Sequence, residues 1–182
     1  MKHIKKRSGF TLIEILIVVS LLAILAVAAL IAINPGEATA KARDAQRLKQ
    51  VADLQKIMEQ WMQEATATTA FTAISTANAA TVTKCDGTGW LSSNAAFNVC
   101  AYANSIVVDP VNKATQTHQR TADTTTGTVA YEVTYDGAQH YRICTHLQSQ
   151  ANRASLTADG GIHNFAYEIS NVTAGNGCSV VN

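Results

Sequence analysis

The sequence predicts an α+β protein in which a long N-terminal helix, apolar in its first half and amphipathic in its second, precedes an antiparallel sheet. An apolar run fills positions 10–33, apolar side chains then recur every three or four residues to about Glu64, and Asp136-Gly137 separates two strand-like segments downstream. At 182 residues the chain has room for one globular domain of the common ~100 to 150 residues plus this extra element. The expected organisation is a basic segment at 1–9, an apolar helix at 10–33, an amphipathic helix at 34–64 and a globular domain at 65–182.

Charge narrows the classes of function. The formal net charge is +1, too small for a broad basic field that coats nucleic acid or anionic lipid. Four of the 14 basic residues, Lys2, Lys5, Lys6 and Arg7, precede Gly9, leaving 10 against 13 acidic ones and a mildly acidic remainder.

From Phe10 to Ile33 the only charged residue is Glu14 and the only hydroxyls are Thr11 and Ser20. As a helix this run is roughly 36 Å long, enough to cross ~30 Å of hydrocarbon. The cationic cluster packed against its start predicts a cytoplasmic N-terminus. Lys41, Arg43, Arg47 and Lys49 stand farther from the other end. An ordinary secretory signal peptide cut near Ala26-Val27-Ala28 would have a shorter apolar region, ~7 to 15 residues, and no carboxylate inside it. An uncut anchor is the other plain reading. A charge inside a bilayer costs ~2.5 to 3.5 kcal/mol, so Glu14 either snorkels to the nearby interface or serves a partner.

The stretch Lys5-Lys6-Arg7-Ser8-Gly9-Phe10-Thr11-Leu12-Ile13-Glu14 resembles the type III leader of type IV pilins and type II secretion pseudopilins. The resemblance implies a prepilin peptidase that cuts on the cytoplasmic side between Gly9 and Phe10 and N-methylates Phe10. It implies a pilin-like fold and an assembly role for Glu14, whose carboxylate meets the Phe10 amine of another subunit and sets its register. Buried together in low dielectric, those two charges need each other. Many pilins carry a proline or glycine earlier in the apolar helix, whereas this chain has none between Phe10 and Ile33.

Asn34-Pro35-Gly36 interrupts the helix, and Asn34 as cap with Pro35 as first residue restarts it. Leu48, Val51, Leu54, Met58, Trp61, Met62 and Ala65 form the apolar stripe of the second helix. Residues 65–83, nearly all Ala, Thr, Ser and Asn, read as a loop, with Phe71, Ile74 and Val82 as anchors. Val129–Thr134 and Gln139–Leu147 read as hairpin strands about Asp136-Gly137, with further strands at Phe165–Ile169 and Tyr102–Val108. Asn171-Val172-Thr173 is a weak glycosylation sequon.

Cys85, Cys100, Cys144 and Cys178 contain no C-x-x-C pair of the zinc or redox type, and four cysteines in an exported domain suggest two disulfides. Three connectivities are open. The favoured one joins Cys85 to Cys100 around Trp90 and Cys144 to Cys178, a clamp on the C-terminal tail of the kind pilins often have.

Among His3, His118, His140, His146 and His163 there is no metal-binding pair at helical spacing and no nucleophile motif. His140 and His146, evenly separated, are expected on one strand face. Asp159-Gly160-Gly161 lacks the neighbouring oxygen ligands of a calcium loop. No metal, cofactor or catalysis is expected, nor a specific nucleic acid partner.

Together with the resemblance, these features predict a precursor in the inner membrane that becomes the structural subunit of an extracellular type IV pilus. Its partners would be identical or related subunits, prepilin peptidase and the assembly machinery. The alternatives are a pseudopilin of a secretion or competence system, or a secreted disulfide-linked binding domain.

Overall fold

Asn34 divides the helical N-terminal part of the chain. The computed structural model describes residues 9–64, 68–76, 83–92, 97–121, 123–172 and 178, and its first two elements are α1 (Leu12–Ile33) and α2 (Pro35–Glu64). Asn34 ends α1 in the left-handed region at φ 47°, a conformation its short polar side chain tolerates, while its Oδ1 accepts the Glu37 amide of α2 at 3.4 Å. The chain divides into one unit ending at Ala38 and another starting at Thr39, so that α2 begins in the first and continues into the second.

In the second unit α2 is followed by β1 (Phe71–Ile74), β2 (Lys113–Gln119), β3 (Thr124–Val129), β4 (Glu132–Tyr135), β5 (Tyr141–Thr145), the short helix α3 (Ser155–Ala158) and β6 (Tyr167–Ser170). Short 3-10 turns lie at Val99–Ala101 and Gln150–Asn152. A four-stranded antiparallel sheet has the order β1-β4-β5-β6, and β2 and β3 form a separate hairpin. The α+β class is as the sequence indicates.

Val51, Leu54, Met58 and Trp61 of α2 share one core with Phe71, Ala73, Tyr131, Val133, Tyr135, Tyr141 and Ile143. Each aliphatic side chain buried there contributes ~1.5 to 3 kcal/mol. Trp61 meets Phe97 and Tyr135 edge-on, with ring centroids 5.1 and 4.9 Å apart, the arrangement its ring quadrupole favours. Leu48 and Met62 are half-buried beside the stripe, and Ala65 lies outside the described residues.

The stripe runs further back than its apolar members. Asp44 and Arg47 continue the same three-four spacing and are fully buried. Arg47 donates to Asp44 at 2.7 Å, to Asp109 at 2.7 and 3.0 Å, and to Gln148 at 3.0 Å. Asp44 also accepts the amides of Gln148 and Ser149 and the side chain of Asn152. Asp109 accepts the amides of Val111 and Asn112. Burial works against the charged guanidinium, but its bonds to the two carboxylates outweigh this and raise its pKa.

Several strands differ from expectation. Tyr102–Val108 is not a strand: the segment leaves a 3-10 turn, buries Ile106, and accepts the Trp90 indole N–H on the Val107 carbonyl at 2.9 Å. Phe71 and Ile74 belong to β1 rather than to a loop, because the segment pairs along its whole length with β4 as the edge strand of the sheet. Val82 lies outside the described residues. The expected strand at Val129–Thr134 is broken at Ala130–Tyr131, where β3 passes from the hairpin into β4 of the main sheet. The Thr-rich β2–β3 hairpin, polar along most of its length, was not expected at all. At the β4–β5 turn Gly137 takes φ 83°, and Asp136 accepts the Ala138 amide at 2.7 Å.

Arg47→Ala leaves two buried carboxylates without their cation and is expected to destabilise the domain by about 3 to 5 kcal/mol. Lys56→Ala, which removes an exposed 3.5 Å pair with Asp53, is expected to change stability by less than about 1 kcal/mol. Urea unfolding of the full chain in detergent, followed by Trp fluorescence, distinguishes the two; equal effects contradict the dependence on Arg47.

Candidate processing and assembly site

The candidate site begins at Gly9, the first described residue, and the flanking Lys5, Lys6 and Arg7 lie outside the described residues. Gly9 is exposed, and a Cβ built on it would meet nothing within 4 Å. Nothing among the described residues therefore requires glycine there. Phe10 follows, 83% exposed.

Thr11 caps α1 and Glu14 completes a capping box. The Thr11 hydroxyl accepts the Glu14 amide at 3.3 Å, while Glu14 Oε2 accepts both the Thr11 amide and the Thr11 hydroxyl at 2.8 Å. Such reciprocal bonds satisfy donors that the first turn of a helix leaves unpaired, and they hold a carboxylate at the positive end of the helix dipole. The Thr-x-x-Glu spacing that signals this box is visible in the sequence, whereas the sequence reading gives Glu14 only an interfacial or partner role. The structure brings Glu14 to within one helical turn of Phe10 and gives it an intrachain partner, Thr11.

The rest of α1 buries nothing. Every large apolar side chain from Leu12 to Ile33 is at least half exposed, and the helix is long and apolar enough to cross a membrane. Ser20 returns its hydroxyl to the Ile17 carbonyl at 2.8 Å, so it presents no unsatisfied donor on that surface.

Cys85 bonds to Cys100 and Cys144 to Cys178, with Cα separations of 5.7 and 6.0 Å. The second bridge attaches residue 178 to β5 on the sheet face opposite α2, where Cys144, Ala166 and Cys178 pack together. Glu132, Arg142 and Glu168 are buried on this face too.

The remaining candidates are occupied by local structure. The Asp159 carboxylate accepts the amides of Gly161 and Glu168 at 2.9 and 2.7 Å, closing its loop on itself. Asn171 accepts the Tyr141 amide and donates to the Gln139 carbonyl, while Thr173 of the sequon lies outside the described residues. His140 and His146 do not share a strand face. β5 ends at Thr145, leaving His140 half exposed against Asp136 at 2.6 Å and His146 buried beside His118. Among the described residues no group of three or more His, Cys, Asp or Glu side chains could hold a metal ion.

Residues 4–30 match the family described as the prokaryotic N-terminal methylation motif. No curated protein and no solved structure matches the chain. The motif spans Gly9, Phe10, the capping box and most of α1, and it implies processing by prepilin peptidase and anchoring of the precursor in the inner membrane. The chain carries a prepilin leader, and with it the processing signal characteristic of the type IV pilins and pseudopilins.

Proposed function

We propose that this protein is the structural subunit of a type IV pilus, cut between Gly9 and Phe10, N-methylated on Phe10 and assembled through α1 into an extracellular filament. The observation that carries this reading is the conjunction of the methylation motif with a helix that keeps its entire apolar surface exposed. Lipid covers that surface in the precursor. Neighbouring α1 helices cover it in the filament, since so large an apolar area does not remain in water.

In assembly, Glu14 is the counter-charge of the Phe10 amine of an incoming copy. Its capping box serves this role by holding the carboxylate at the end of the helix, so little side-chain freedom is lost when the partner arrives. The protein acts by assembly rather than catalysis, through contacts with copies of itself or related subunits.

Three measurements test the proposal. Gly9→Leu, whose Cβ meets nothing within 4 Å among the described residues, is expected to fold normally yet accumulate as uncut precursor in the membrane fraction; processing at the wild-type rate refutes the assigned cut. Glu14→Ala is expected to be cut and methylated while filament yield falls at least tenfold, and undiminished filaments would remove the counter-charge role. Surface filaments sheared from native cells are expected to contain this chain as their main component, beginning at N-methylated Phe10 by mass spectrometry. Its absence from filaments built of another pilin would assign it to a pseudopilin role instead, and a mature terminus near Ala29 would favour a secreted domain.

A further inference from the structure

His146 follows β5 with its side chain 1% exposed, and His118 on β2 is 4% exposed; their ring centroids lie 4.0 Å apart. Neither ring nitrogen of His146 has a well-formed hydrogen bond, although a neutral imidazole always carries one N–H to satisfy. His118 Nδ1 lies 3.4 Å from the Gln116 carbonyl, and β3 backs the ring so closely that a Cβ on Gly127 would come within 3.1 Å of it.

These rings sit on a seam. The β2–β3 hairpin is not part of the four-stranded sheet and reaches the chain beyond β5 through a short series of bonds. The Gln119 amide donates to the Leu147 carbonyl at 2.7 Å, Gln119 Nε2 to the Gln148 carbonyl at 2.8 Å, and Gln148 Nε2 to the Thr117 carbonyl at 3.2 Å. Arg153 donates to Gln119 Oε1 at 2.7 Å, and the Thr121 amide to the Asn164 carbonyl at 3.0 Å.

We propose that His118 and His146 form an acid-operated latch, whose neutral rings hold the β2–β3 hairpin against the segment after β5 and whose protonation releases it. The reason is burial first and charge second. Arg47 of α2 acts on both rings, and Arg120 at the end of β2 acts on His118. Asp44 and Asp109 are already bonded to Arg47, and Arg153 approaches from the segment after β5 through Gln119. A proton on either ring would be a buried cation 4.0 Å from the other ring, beside a cluster whose two carboxylates are already engaged by Arg47.

Burial, the neighbouring ring and Arg47 together push the His146 pKa down to about 3, against a marginal favourable contact with the Thr128 backbone. Burial likewise lowers that of His118. A depressed histidine makes the closed form weaker as pH falls, because the opened form binds the proton first. The seam is at full strength above about pH 6.5, the ordinary value, and weakens progressively toward pH 3. By this linkage His146 alone favours opening roughly 30-fold at pH 5.0 relative to pH 7.5.

The test is amide hydrogen exchange by mass spectrometry on the full chain in detergent micelles at pH 7.5 and 5.0, corrected for intrinsic exchange. Protection of residues 113–129 is expected to fall at least tenfold at pH 5.0 while β4 and β5 keep theirs. His146→Phe is expected to reduce that loss to threefold or less, and His140→Gln, on the exposed turn, to leave it unchanged. Unchanged hairpin protection in the wild type, the same acid response in His146→Phe, or an equal loss through β4 and β5 would each overturn the latch. Should His146→Phe not fold, nitrogen NMR of the wild-type imidazoles decides instead: His146 neutral at pH 5.5 is expected, and a charged ring in the closed hairpin overturns the proposal. None of these outcomes depends on the filament reading.

Discussion

Arg47 sits at zero exposure on the inner face of α2, where a guanidinium is tolerated only if carboxylates come to it, and the preceding helical turn and two distant segments are arranged to meet that demand. Asp44 comes from the preceding turn of the helix, Asp109 from the segment after Ile106, and Gln148 from the segment beyond β5. The carboxylates then use their remaining lone pairs on backbone amides at 111, 112, 148 and 149. One buried cation thus fixes the path of two loops alongside their own buried side chains, Ile106 and Leu147. It also places positive charge beside the His118–His146 pair.

Below this ionic layer the same face of α2 turns apolar, and Val51, Leu54, Met58 and Trp61 pack on the sheet through Tyr131, Val133, Tyr135, Tyr141 and Ile143. Two of the tyrosines keep their hydroxyls bonded to α2, Tyr131 to Gln50 and Tyr141 to Glu59. The aromatic bodies fill the core while the polar tips return to the helix, so no hydroxyl there is stranded. The opposite face of the sheet is covered as well, which is why β5 is buried along its whole length and why Cys144 can bridge to residue 178 from there.

The helix α1 follows a different rule. It buries none of its side chains, and its stability in isolation from a core depends on its low-polarity surroundings and on the Thr11–Glu14 box that closes its first turn. A segment built this way has no role as a core element of the downstream domain. In the proposed filament its apolar surface is the contact surface, and its single carboxylate is the charge that marks axial position.

What could be read without the structure was whatever local chemistry decides. Basic flank, Gly9, Phe10 and Glu14 stand at fixed spacing beside an apolar run; Asn34-Pro35 marks a helix restart; Asp136-Gly137 marks a turn because few other residues take its backbone angles. The tertiary structure alone decided the rest. Asp44 and Arg47 lie on the helical stripe, but charged residues there look solvated until Asp109, 62 residues beyond Arg47, is seen to neutralise the guanidinium. The β2–β3 hairpin escapes notice because threonine and glutamine on both faces give no alternation. Tyr102–Val108 resembles a strand in composition but pairs with no strand among the described residues. His146 was grouped with His140 by spacing, although its neighbours are His118 and Arg47, brought to it by chain segments remote in sequence. Spacing along the chain captures interactions within a turn or a hairpin, whereas burial, pairing and charge compensation depend on which distant segment occupies the other side.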